Sequence, residues 1–239
     1  MKELEDHSWF PPFLRNFQTE FIGFVVARFH VYEGFVQHLK TLNLPLQPMT
    51  DLCSGSGEPA ISIFRKSGCF SQLFLSDKYP NALPFKDGNT VHTILQSDVL
   101  EMEFQSGTCY TMFNAFHHFT DEDKIKIVQK MQFSGSRAFL VEVLEPTPFC
   151  LLKVFVTGTL GSLLLTPLIF PFSLRRLFFT YVFPVNILTI TFDGVVSVYK
   201  SRSVKHYQKL FTGLGETIKT FRLSNGLFSL IVIHCEPQK

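Results

Sequence analysis

The sequence predicts an α/β domain built on a mostly parallel sheet, and three observations predict it. Short apolar strands alternate with helical stretches from Met49 onward, the pattern of a parallel sheet covered on both faces. A glycine-rich loop, "CSGSG", joins the first of those strands to a helical stretch. The tail reads instead as strand, turn and strand, a hairpin with Asn225-Gly226 at its tip,.

The elements follow in order. Residues 1–47 form a helical arm, because "FQTEFIGFVVARFHVYEGFVQHLKTL" places apolar residues at mixed three- and four-residue spacing,. The preceding "HSWFPPFLR" is interrupted by proline and reads as irregular, and "LPLQP" closes the arm as a linker,. "PMTDLC" is a strand, and "EPAISIFRKSG" a helix stopped by Gly68,. "QLFLSD" is the next strand, "YPNALPF" a short helix or loop, and "VHTILQSD" and "CYTMFNA" hold further strands. "DEDKIKIVQKM" is a helix with acids in its first turn, where the helix dipole favours them,. "SRAFLVEVLEP" is a strand. In "FDGVVSVYKSRSVKHYQKL", Asp193-Gly194 reads as a turn and Ser201 or Ser203 as the cap of a helix over "VKHYQKL",.

Composition narrows the function. Hydrophobic residues make up 46% of the 239 and charged residues 18%, against about 25% charge in ordinary soluble domains. A net charge of +2 without a Lys/Arg cluster argues against nucleic acid as a partner,. Five scattered cysteines have neither metal-site nor disulfide spacing, so no metal is expected,. Acids stand in "MKELEDHSWFPPF" where a signal peptide has its apolar core, so the expected location is cytoplasmic,.

The glycine loop carries the chemistry. Such a loop leaves backbone N–H groups free and lets a ligand approach the main chain closely. Gly55 to Ala60 even fits the dinucleotide pattern G-x-G-x-x-G/A,. Against a diphosphate, Asp51 ends the strand before the loop and Glu58 stands at the start of the helix. A carboxylate there repels a pyrophosphate and attracts a cation. Asp77 ends the second strand and Asp98 follows the next one, so acids recur along the carboxyl edge, where open α/β sheets bind their ligands. Asp51 and the reversed last strand together disfavour a nicotinamide oxidoreductase.

This arrangement resembles the class I S-adenosylmethionine-dependent methyltransferases over roughly Met49–Val143 and Glu216–Cys235. "DLCSGSG" is similar to their first motif, "LFLSD" to the acidic second, and Ser97-Asp98 and "FNAFHHF" to the following two. The resemblance implies a Rossmann-like, seven-stranded, mostly parallel sheet with an antiparallel last strand. It also implies a methyltransferase domain over 48–239 and S-adenosyl-L-methionine as cofactor. Cys53 and Ser54 lie within the binding loop, Gly55 and Gly57 accommodate the methionine part, and Asp51 lies near its ammonium. Asp77 holds the ribose hydroxyls, Asp98 the adenine amino group, and Asn114 lies beside the transferable methyl. Glu58-Pro59 departs from the commoner glycine after the motif.

Methyl transfer needs an aligned acceptor and, for a protic one, a base. His117 and His118 are the catalytic candidates; Glu142, Glu145 and Tyr199 are weaker ones. Trp9 and Phe10 are candidates for a lid, or for a simple anchor of the arm. The acceptor is expected to be a small hydrophobic or lipid-like molecule because of an apolar insertion at about 147–192. Val154–Leu174 is an uncharged run of 21 residues, and no Asp or Glu occurs from Pro146 to Phe192. Arg175 and Arg176 between apolar runs point to a headgroup-level anchor on a membrane. A buried cap over a smaller substrate and a subunit interface are the other readings of this stretch. The rival function is a non-catalytic adapter that docks on a membrane or a partner through the insertion.

Overall fold

Strand β1 (Gln47–Leu52) lies third in a seven-stranded sheet in this computed structural model, which describes residues 2–80, 85–87, 90–92, 94–226 and 228–237. Its neighbours are β2 (Phe70–Asp77) and β6 (Cys109–Phe113), both parallel to it. Beyond β2 lies β5 (Ile94–Gln96), and beyond β6 lies β7 (Arg137–Glu142), again parallel. Strand β9 (Phe228–Cys235) then runs antiparallel to β7, and β8 (Ile218–Asn225) antiparallel to β9. The order is β5-β2-β1-β6-β7-β9-β8. It reverses direction between β1 and β6, and open α/β sheets carry their ligand crevice at such a switch point.

Burial on both faces explains the strand sequences. Phe139 and Val141 of β7 pack on one side with α2 (Glu33–Thr41) and α3 (Ala60–Ser67). Ala138 and Leu140 pack on the other with α4 (Asp121–Phe133) and α9 (Val204–Phe211). Side chains alternate across a strand, so a strand covered on both faces reads as one apolar run, as "AFLV" does. Helix ends follow their caps. Thr120 accepts from Asp123 N ahead of α4, Ser203 accepts from His206 N ahead of α9, and Gly68 closes α3 with a left-handed φ of 64°,.

Several expectations change. Helix α1 (Pro12–Arg28) already includes "PFLR", because proline is tolerated in a first helical turn,. The stretch "VHTILQSD" divides: β4 (Thr90–His92) pairs with β3 (Phe85–Asp87), and only β5 joins the main sheet. Much of "YPNALPF" lies outside the described residues, as does Leu227 beside the hairpin tip. Asp193-Gly194 is not a turn. Both residues sit inside α8 (Val185–Lys200), where a buried role for the carboxylate replaces turn chemistry.

The insertion is a helical hairpin. A rod from Pro148 to Leu168 contains α5 (Pro148–Val156), a π-helical turn at Thr157–Gly161 and α6 (Ser162–Leu165). After a bend, α7 (Leu174–Leu177) continues as far as Val182, and α8 returns at 80° to that limb. Gly158 and Gly194 hold α5 and α8 together. A Cβ on Gly158 would lie 2.9 Å from Thr191 Cα, and one on Gly194 2.6 Å from Val154 Cγ1. The hairpin leaves after β7 and re-enters ahead of α9, beside the carboxyl edge of the sheet.

Candidate functional site

The loop from Cys53 to Pro59 is sewn to the end of β2. Ser54 N donates to Ser76 O (2.9 Å), and Ser76 N and Oγ donate to Ser54 Oγ and Asp51 O (3.2 and 3.1 Å). Gly55 N donates to Asp77 Oδ2 (2.8 Å), and Tyr79 N to Asp77 Oδ1 (2.8 Å). Cys53 (φ 55°), Gly55 (φ 54°) and Gly57 (φ 90°) all adopt left-handed backbone. At Gly57 the requirement is doubled: an added Cβ would stand 2.8 Å from Ile61 Cδ1,. Glu58 precedes α3 and accepts from Ser62 N (3.4 Å) rather than opening the helix itself.

Asp51 is only 2% exposed and accepts from Thr111 Oγ1 at 2.7 Å. Burial pushes its carboxyl up to about 7, hydrogen bonds from Thr111 and Ser54 oppose this, and the Asp77 charge adds to it. A cation seated beside it would relieve that penalty and draw the proton off. Asp98 ion-pairs with Lys78 (2.8 Å) and accepts from Leu100 N (3.0 Å). Desolvation opposes its ionisation, but these partners outweigh it and hold the carboxyl below the usual range. Burial raises the Cys53 thiol, and the charges of Asp77, Asp51 and Asp98 raise it further. The three acids thus lie on the Cys53 side of the sheet, at its carboxyl edge. Asn114 (φ 49°) joins β6 to β7, its N donating to Val141 O (2.8 Å) and its Oδ1 accepting from Val143 N (3.3 Å).

Next along the edge, His117 sits in a 3₁₀ turn and is 2% exposed. Its Nδ1 is 2.7 Å from Glu142 Oε2, while Glu142 Oε1 accepts from Phe116 N (2.7 Å) and His117 N (3.2 Å). Pairing of Nδ1 with Glu142 leaves Nε2 as the other ring nitrogen,. That Nε2 is buried without a hydrogen-bond partner. Tyr32 is buried nearby. Burial raises its phenol well above the usual value, and Glu142 and Asp51 both push it further.

His118 belongs to a different group. Its Nδ1 is 3.1 Å from Asp6 Oδ1 and its Nε2 3.4 Å from Glu3 Oε2, and Lys200 Nζ donates to Glu3 (3.0 Å) and Asp6 (3.2 Å). Burial disfavours the imidazolium, but Asp6, Glu3 and Glu5 outweigh it and hold His118 at about 9. Glu3, His117 and His118 bring ligand atoms within 4.8 Å of one another. The Lys200 ammonium already neutralises that carboxylate, which makes the group an ion-pair knot. A pKa raised above the ordinary 6.5 contributes stability that is complete below 6.5 and lost as pH climbs through about 9,. The thermal midpoint is accordingly expected to decline across that window. A His118→Gln variant melting with the same pH profile would refute the assignment.

The amino-terminal arm roofs this edge. Leu4 N and Glu5 N donate to the two oxygens of Asp193 (2.6 and 3.2 Å), and Gln18 Nε2 donates to Oδ2 (3.1 Å). Helix α1 rests on the glycine loop: Ser56 Oγ donates to Thr19 O (3.1 Å), and Arg15 stacks 4.6 Å from the Tyr79 ring. Phe10 is buried, but Trp9 is 65% exposed and is no lid over the crevice. Tyr199 faces outward, and Glu145 pairs with Arg222 at 2.5 Å, so neither joins His117. Arg176 is also misplaced for a headgroup anchor. It is buried, ion-paired with Glu20, and donates to Ile169 O (2.6 Å) and Pro171 O (2.8 Å).

The structure places Glu142 against His117 and brings in Glu3, Asp6, Asp193 and Lys200, which the sequence reading did not single out for this edge. One signal was present: Asp193 is the first acid after Glu145, and a lone carboxylate in an apolar helix needs a buried partner.

No protein-family model matches the chain, and no curated protein sequence matches it. Solved structures do. The plantazolicin methyltransferase BpumL in complex with SAH aligns with a TM-score of 0.53 at 13% identity, covering 95% of this chain and 96% of that one. An O-methyltransferase family protein from Burkholderia thailandensis aligns with a TM-score of 0.51 at 8% identity, over 91% and 59%. Human N-acetylserotonin methyltransferase in complex with SAM aligns with a TM-score of 0.49 at 14% identity, over 87% of this chain and 53% of that one. The chain thus spans about half the length of the human enzyme. At these identities the likeness shows the fold, which is that of the class I methyltransferases.

Proposed function

We propose that the protein transfers a methyl group from S-adenosylmethionine to a small hydrophobic acceptor. The observation that carries the reading is the buried Asp51 carboxylate beside the bare-backboned loop at the switch point, with the His117–Glu142 pair on the same edge. The donor set fits the cofactor: a carboxylate short of a cation, an acid at the end of β2 and a loop with two left-handed glycines. Asp51 would lie toward the ammonium, Asp77 toward the ribose hydroxyls and Asp98 toward the adenine. When bound, the cofactor supplies an electrophilic methyl on a cationic sulfur. The protein's part is to align an acceptor with that methyl and to take its proton. His117 Nε2 receives the proton as the acceptor oxygen or nitrogen gains its methyl bond, and Glu142 stabilises the resulting imidazolium.

Titration calorimetry tests the cofactor site. S-adenosylhomocysteine is expected to bind in the micromolar range, and Asp77→Ala to weaken it at least about tenfold, the loss of one charge-assisted hydrogen bond. Absence of heat with either cofactor form would overturn the reading. The adapter reading has one observation in its favour, the Glu3 carboxylate 3.9 Å from His117 Nε2. An adapter would bind the cofactor, or nothing, and transfer no label to any acceptor.

A further inference from the structure

The hairpin from Pro148 to Phe192 has its polarity reversed. A helix pair facing water turns its large apolar side chains inward and its polar ones out. Here the buried positions are Gly158, Ser162, Thr166, Ile169, Arg176, Thr180, Asn186 and Thr189, so Ile169 is the one large apolar side chain buried in the whole stretch. Several of the inward polar groups pair with one another or with the backbone. Asn186 Nδ2 donates to Arg176 O (3.2 Å) and Thr180 Oγ1 (3.1 Å), and Thr166 Oγ1 donates to Ser162 O (2.6 Å). Outward stand Phe149, Leu152, Leu164, Phe170, Leu174 and Leu188, with Phe170 83% exposed. Only 17% of the most apolar window of the Pro148–Leu168 rod, with mean hydropathy 1.8, is buried.

We infer that this face docks on a lipid bilayer and lies in one leaflet without crossing it. The reversal itself names an apolar surrounding medium, and it extends over both limbs and the bend between them. A second copy of the chain would cover one side of a hairpin, leaving the rest in water. Charge agrees with lipid: the stretch holds no acid, and its exposed cations are Lys153 and Arg175, which suit anionic headgroups. The rod, at about 30 Å, is long enough to span a hydrocarbon core. Its other limb forbids a crossing. Arg176 is tied to Glu20 of α1, and Phe179 packs on Phe13 of the same helix, so a span would drag α1 and its ion pair into hydrocarbon,. Docking stands independently of methyl transfer. Joined to that reading, on which this clause rests, it makes the acceptor a molecule dissolved in the bilayer.

Flotation of the purified full chain, without cofactor, tests the docking. The vesicles are phosphatidylcholine alone and phosphatidylcholine mixed with phosphatidylglycerol. The chain is expected to float with both, more with the anionic mixture, and to remain bound in high salt because the contact is chiefly apolar. Phe170→Asp and Leu174→Asp should each lower partitioning about tenfold or more. Both side chains are exposed, so an unchanged thermal midpoint will confirm folding. Phe133→Asp, at an exposed phenylalanine on α4, should float as the parent does. A chain that stays in the dense fraction with both vesicle types overturns the inference. So does a stable dimer that the two hairpin substitutions dissociate while flotation is unchanged. Flotation without any calorimetric response to cofactor would leave docking standing and remove methyl transfer.

Discussion

Replacing His117 by alanine is expected to lower kcat by about a hundred- to ten-thousandfold, the range for removal of a positioned general base. S-adenosylhomocysteine affinity should stay unchanged, because the ring lies beyond the loop that would hold the cofactor. Glu142→Gln should give a smaller loss. The amide can still accept from His117 Nδ1, but it no longer offsets the charge the ring gains. The assay follows label from the cofactor into an extract of lipids and small molecules, first with the parent protein to identify the product. The pH profile separates this role from mere support. A base losing its proton partner should flatten the acid limb, whereas a structural change would scale the whole curve. If the alanine variant keeps kcat within tenfold, His117 takes no proton.

Asp193→Ala is expected to cost about 3 kcal/mol. The substitution strands three donors, Leu4 N, Glu5 N and Gln18 Nε2, around a site that is nearly closed to water, and unsatisfied buried groups cost about 1–3 kcal/mol each before relaxation. For a chain of this size the thermal midpoint should fall by about 6–12 °C. Limited proteolysis should then cut the arm before the sheet domain. Asp193→Asn, which keeps one acceptor oxygen, should fall between the two. A midpoint within about 1 °C of the parent would mean that the arm is held by its apolar contacts alone.

The sheet was legible because its signals are local. Short apolar runs buried on two faces, the Gly68 stop, the acids opening α4 and the Asn225-Gly226 tip each occupy a few adjacent residues. The acidic edge was legible for the same reason: Asp51 and Asp77 lie at the ends of β1 and β2, Asp98 follows β5 by two residues, and parallel strands bring those ends together. The knot over His117 was not. Its contacts join residues more than a hundred positions apart, Asp6 to His118 and Glu3 to Lys200, and no local pattern encodes them. Asp193-Gly194 misled for a related reason. The dipeptide favours a turn on its own, but packing of α8 against α5 needs a residue without a side chain at position 194, and the arm needs a carboxylate at 193. Arg176 has the look of a surface anchor in one dimension, and only the position of Glu20 on α1 reveals it as an interior pair.

Helix α8 carries both Asp193 and Lys200, two turns apart, and through them it grips the segment that shuts off His117. The same helix forms one limb of the outward apolar face. A push on that limb from outside would therefore reach that segment with no flexible joint in between, since the close approach of Gly158 to the Thr191 backbone and of Gly194 to the Val154 side chain leaves the pair little slack. Whatever settles against the hairpin would thus press, through α8, on the cover over the buried imidazole.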